Sequence, residues 1–209
     1  DGATSIDVAA GAFTDAAGNE NTAAEQFNWS YDGTGPSLVI SSSIVSDGAE
    51  SNDSSISLTF TSSEATSNFA EEDIVVGGGS LTNFASTSAT VYTATFTPSD
   101  DGATTIDVDA GTYTDAYGNS NSAAAQFNWT YDGTSPTLTI SSSDVSDGDT
   151  TNDSSIAVTF TSSEATSNFA AEDITVSGGT LSNFASSSST VYTATFTPSD
   201  DGATSIDVS

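Results

Sequence analysis

Apolar residues recur at every second position in short runs separated by polar turns. Phe127, Trp129 and Tyr131 fall on one face of such a run, and Gln126, Asn128 and Thr130 on the other. That period of two marks a strand with one buried face. The Asp-Gly-Thr-x-Pro at 132–136 stops the strand, because proline cannot donate to a ladder, and Leu138 and Ile140 begin another. The same joint stands earlier, where Phe27, Trp29 and Tyr31 precede Asp32 and Pro36. Between the two joints, six further runs read as strands. They carry Leu38 and Ile40; Ile56, Leu58 and Phe60; Ile74 and Val76; Leu81 and Phe84; Tyr92, Ala94 and Phe96; and Ile106 and Val108. Their Thr and Val content favours strand over helix. The one helical hint is a turn over residues 67–73. The fold class is all-β, a sandwich of seven strands.

The pattern repeats. DGATSIDV stands at Asp1, returns as DGATTIDV at Asp101 and recurs at Asp201, a period of about 100 residues with roughly three positions in four identical. About 100 residues is the size of an immunoglobulin-type sandwich. The expected domains are the last two strands of one module at 1–35, a complete module at 36–135, and the first five strands with the start of a sixth at 136–209. The chain then reads as a window on a longer array, or as a protomer whose ends neighbours complete.

Composition narrows the chemistry. The 209 residues include 29 acids and no Lys, Arg, His, Cys or Met, for a formal net charge of -29. Nucleic acid and anionic membrane surfaces need Lys or Arg, so neither is an expected partner. Without His or Cys there is no usual zinc or copper site, no thiol chemistry and no disulfide. Oxygen ligands remain, and they suit hard cations such as calcium. No apolar run approaches the roughly 18 residues of a membrane span. Abundant Ser, Thr, Ala, Gly and Asn suggest a secreted or cell-surface protein.

The segment TSSEATSNFAAEDITVSGGTLSNFASSSSTVYTATFTPSDDGATSIDV, together with TDAYGNSN and YDGTSP, closely resembles the bacterial Ig-like tandem repeats of very large extracellular adhesins of the RTX or biofilm type. The resemblance covers the whole chain. It implies a seven-stranded Ig-like sandwich in a tandem array that holds a terminal adhesive domain away from the cell. It also implies calcium at the joints between modules. The chain departs from many relatives in lacking every basic residue and any RTX nonapeptide.

Strands running alternately up and down put the loops at two ends of each module. The incoming end gathers Asp32 from the linker, Glu64 and Asp73 from the segment after the second strand, and Asp115 from the last loop. The outgoing end gathers Asp47, Asp53, Asp100, Asp101 and Asp132. At the following joint Asp132 is expected to meet Asp147, Asp153 or Glu164. The candidate metal ligands are therefore Asp32, Glu64, Asp115, Asp132, Asp147 and Glu164, with Ca2+ as the cofactor. Clustered carboxylates repel unless a cation joins them or one is protonated. The competing explanation is that Asp and Asn are turn residues bonding their own backbone.

Other readings weigh less. Trp29 and Trp129 as sugar platforms compete with their alternating, core-facing positions. Asp100 and Asp101 as a glycosidase pair compete with adjacent acids in a repeated turn. The sequons at Asn28, Asn52, Asn128 and Asn152 permit glycosylation where the machinery exists. The absence of a nucleophile–base pair, a His or a redox centre argues against an enzyme. What remains is a stalk or filament whose partners are its own neighbouring repeats or head-to-tail protomers. An adhesive module for glycans or other cells is the alternative, and strand complementation between chains a further one.

Overall fold

The structure is a computed structural model that describes residues 1–66 and 68–208. Its strands are β1 (Gly2–Ile6), β2 (Phe27–Tyr31), β3 (Leu38–Ser42), β4 (Glu50–Ser51), β5 (Ile56–Ser62), β6 (Ile74–Gly77), β7 (Gly79–Ser86) and β8 (Val91–Pro98). They continue with β9 (Gly102–Val108), β10 (Phe127–Tyr131), β11 (Leu138–Ser142), β12 (Ile156–Ser162), β13 (Ile174–Ser177), β14 (Gly179–Ser186), β15 (Val191–Pro198) and β16 (Ser205–Val208). Among the described residues the only helical elements are two 3-10 turns, Glu71–Asp73 and Ala171–Asp173. The first falls inside the turn expected over 67–73, of which Ser67 lies outside the described residues. The chain forms two compact units, Asp1–Thr134 and Ser135–Ser209.

Within the first unit, residues after the first linker build a complete sandwich. One sheet runs β3-β5-β8-β7 and the other β4-β10-β9-β6, so the alternating faces of both sheets point into one core. Ile56, Leu58, Phe60, Phe96, Ile106 and Trp129 are buried there, as their period of two required. The Trp129 ring meets Phe96 edge-on at 4.9 Å between centroids, so the core reading of this tryptophan holds.

The structure adds an eighth strand to the seven expected. Glu50 and Ser51 pair parallel with Thr130 and Tyr131, and two residues are too few to show a period. The pairing of β7 with β8 also slips between Thr82 and Ala85, where Asn83 takes a φ of 56°. Asparagine tolerates this left-handed conformation, and the bulge it creates is repeated at Asn183.

Ahead of this sandwich, β1 and β2 form an antiparallel hairpin in the same register as β9 and β10: Ile6 faces Phe27 as Ile106 faces Phe127. Its apolar face is uncovered, with Phe27 67% and Trp29 43% exposed. The second unit pairs β11-β12-β15-β14 in one sheet and β13-β16 in another. Its core is Val158, Phe160, Tyr192, Ala194 and Phe196.

Candidate functional site

Three segments distant in sequence converge at the incoming end of the complete sandwich. The chain leaving β5 turns so that Thr66 forms an isolated bridge with Asp115, which brings Glu64 toward the loop between β9 and β10. Thr66 is buried and shares a 2.6 Å hydrogen bond with the Tyr92 hydroxyl. Asn68 Oδ1 accepts from Thr114 N at 3.0 Å. The linker is held from the other side: Ser122 N donates to the Pro36 carbonyl at 3.0 Å, and Ser63 N to the Ser37 carbonyl at 2.9 Å. Gly35 lies so close to the loop that a Cβ there would overlap the Ser120 carbonyl oxygen.

The result is a trio. One carboxylate oxygen each from Asp32, Glu64 and Asp115 lies within 4.8 Å of the others. Asp115 is buried while Asp32 and Glu64 are half-buried. Burial, reinforced by the charges of Asp32 and Asp115, pushes the Glu64 carboxyl above its ordinary 4.5. For Asp115, burial works in the same direction but is outweighed. Asn119 Nδ2 donates to its Oδ2 at 2.8 Å, while Asn119 N and Tyr117 N donate to Oδ1 at 2.9 and 2.8 Å. These bonds hold Asp115 below its ordinary 3.8. They occupy most of its roughly four acceptor positions.

The other expected acids are spent differently. Asp73, expected at this end, accepts from Ala70 N at 2.9 Å and caps the 3-10 turn; it is not a member of the trio. At the outgoing end, Asp47 Oδ1 accepts from Asn128 N at 2.8 Å, and Asp53 Oδ2 from Ser51 Oγ at 2.6 Å. Asp101 accepts from Gly133 N at 2.7 Å and from the Thr134 hydroxyl, which lowers its pKa. Asp132 Oδ1 accepts from Thr134 N at 3.2 Å. Turn chemistry accounts for Asp53 and Asp132, while Asp47 and Asp101 tie segments distant in sequence together. In the second unit Asp147 is exposed and Glu164 half-buried, with Glu164 N donating to Ser162 Oγ at 3.4 Å.

Two asparagines escaped the sequence reading. Asn119 links the trio's loop to the linker through a 3.3 Å bond from Nδ2 to the Asp32 carbonyl. Asn121 is buried; its Oδ1 accepts from Tyr113 N at 3.0 Å, and its Nδ2 donates to the Asp109 and Ser122 carbonyls at 2.8 and 3.0 Å. The signal was the recurrence of Asn at 19 and 21 and at 119 and 121.

A complete sandwich of two four-stranded sheets, with the four-stranded sheet and the acidic linker repeated after it, defines a tandem β-sandwich protein. Residues 32–131 and 132–209 each match the family described as bacterial Ig-like domain. The chain belongs to that family, and both matches begin at the linker aspartate. No curated protein matches the chain. Bacterial Ig-like domains are typically non-enzymatic. Among the described residues no helix is long and apolar enough to cross a membrane.

Proposed function

We propose that this chain is an extender segment of an extracellular or cell-surface protein, with calcium bound by Asp32, Glu64 and Asp115 locking the linker onto the sandwich that follows. The observation that carries this reading is the trio itself. Its members come from the linker, the segment after β5 and the loop before β10, so a shared ion would hold all three together. The donors are all oxygen, as a hard cation requires, and the pKa of Glu64 is raised first by burial and then by the charges of Asp32 and Asp115, a repulsion that a cation would relieve. In the sequence Asp132 and Glu164 repeat Asp32 and Glu64. Asp147 repeats Asp47, which lies apart from the trio, and enters this proposal only as a further oxygen donor.

A fixed linker would make the array stiff, which suits a spacer. Solution scattering of the full chain in calcium and in EGTA tests this. A larger radius of gyration and longest dimension in calcium, lost in Glu64→Gln, is the expected result. Identical profiles in both buffers would overturn it.

A further inference from the structure

Two recurrent motifs, DGAT at 1–4 and 101–104 and YDGT at 31–34 and 131–134, are not explained by the carboxylate trio beyond Asp32. The sheet register brings them together. Gly2 pairs with Tyr31, and Gly102 with Tyr131, at the ends of their strand pairs. The residue before each glycine is therefore the cross-strand neighbour of the residue after each tyrosine. Asp1 and Asp101 thus stand beside the linker as it leaves the strand.

The contacts are the same in both copies. Asp1 Oδ1 accepts from Gly33 N at 2.8 Å, and Asp1 Oδ2 accepts from the Thr34 hydroxyl. Asp101 Oδ1 accepts from Gly133 N at 2.7 Å, and Asp101 Oδ2 accepts from the Thr134 hydroxyl. The remaining backbone donor, Thr34 N or Thr134 N, bonds Oδ1 of Asp32 or Asp132 at 3.2 Å. Every donor of the Gly-Thr pair is used, and the charge of the carboxylate strengthens each bond. The tyrosine closes the arrangement. A Cβ on Gly33 or Gly133 would overlap the hydroxyl of Tyr31 or Tyr131, so glycine alone lets that side chain lie against the linker.

Tyr31 stands in the uncovered β1–β2 pair, whereas Tyr131 belongs to the complete sandwich. The arrangement forms in both settings, so it needs neither an opposing sheet nor a core. It is a local property of two strands and the two motifs at their ends.

We infer that Asp1 and Asp101 are latches, each fastening the linker to the strand pair it has just left, so that residues 33–34 and 133–134 stay ordered without any cation. The trio concerns the sandwich that a linker enters; the latch concerns the strands that it leaves. Both ends are visible around residues 32–36. Asp1 holds Gly33 and Thr34, while Asn119 and Ser122 donate to the carbonyls of Asp32 and Pro36. A linker fastened on both sides has few torsions about which to hinge, which suits a spacer. DGAT and YDGT recur together because each supplies half of the latch.

The test is amide hydrogen exchange of the full chain in EGTA at neutral pH, followed at Gly33 and Gly133 by NMR. In wild type both amides are expected to exchange at least about tenfold more slowly than those of an unstructured chain. Asp101→Ala should release Gly133 by about tenfold or more and leave Gly33, whose latch is untouched, unchanged. Asp101→Asn keeps an acceptor for Gly133 N and a partner for the Thr134 hydroxyl, and should retain most of the protection. Asp101 is exposed, so its variants keep the sandwich folded; the amide of Ala124, bonded to the Val108 carbonyl at 3.0 Å, reports on that fold. Unprotected Gly33 and Gly133 in wild type overturn the inference. Full protection of Gly133 in Asp101→Ala does so too. With no cation present, either result bears on the latch alone and leaves the calcium reading to its own test.

Discussion

Asn119 Nδ2 spans 3.3 Å to the carbonyl of Asp32, a residue 87 positions earlier, while also bonding Oδ2 of Asp115 at 2.8 Å. One amide thus joins the linker to the loop that presents the buried carboxylate. The geometry of the trio depends on it as much as on the acids.

Replacing Glu64 by Gln separates the two effects of that carboxylate. In chelator the variant loses a group whose ionisation is opposed by burial and by two neighbouring charges, so its melting temperature should exceed that of wild type at pH 7. In calcium the order should reverse, with affinity weakened by about tenfold or more. Calorimetric titration and melting curves of both proteins check this. A variant that binds calcium as wild type does would exclude Glu64 as a ligand.

Gly35→Ala perturbs the same site without touching a carboxylate. The new Cβ meets the Ser120 carbonyl, so the linker must lift from the loop. Calcium-dependent stabilisation should fall while the core around Phe96 and Trp129 stays intact. Near-ultraviolet dichroism of Trp129 reports on that core, and its loss would show a general defect instead.

Acid should act in two directions. The Glu64 pKa is raised in the fold, so its penalty is fully present above that folded value and is relieved as pH falls toward 4.5. Asp101 and Asp115 have lowered pKa values, so their contribution is present above 3.8 and is lost as pH falls through their folded values. In chelator, stability should rise on mild acidification and fall again below pH 3.8. Glu64→Gln should flatten the rise, and denaturant midpoints across pH would reveal an unchanged slope.

Two buried polar groups distinguish position from need. Asn121→Ala strands the Tyr113 N–H and two carbonyls and should cost about 2–3 kcal/mol. The Tyr113 hydroxyl is buried with no hydrogen-bond partner among the described residues, and the earlier repeat carries Phe13 there. Tyr113→Phe should therefore be neutral or stabilising by up to about 1 kcal/mol. Urea unfolding of both variants measures the pair, and a clear loss in Tyr113→Phe would reveal a bond to that hydroxyl.

The core was legible because each strand buries one face, so Phe60, Phe96 and Trp129 declare themselves by alternation. Asp32, Glu64 and Asp115 could be assigned to one end because strand count alone fixes where each loop lies. Strand counting could not separate Asp73 from them, since both its turn and the trio occupy the same end. Nor could it reveal β4, which follows a turn and borrows its pairing from β10. Asn119 and Asn121 act through bonds across 1 to 87 positions, and no local period encodes such a spread.

Thermal unfolding of the full chain in calcium, magnesium and EGTA tests the cation-locked linker most directly. With a dissociation constant of roughly 10⁻⁴ to 10⁻³ M, about 10 mM calcium should stabilise the folded state by about 1–3 kcal/mol. That gain should be specific to calcium and absent in Glu64→Gln. Identical melting in all three buffers would contradict it and leave the trio as three acids held beside a hydrogen-bonded linker with no ion between them.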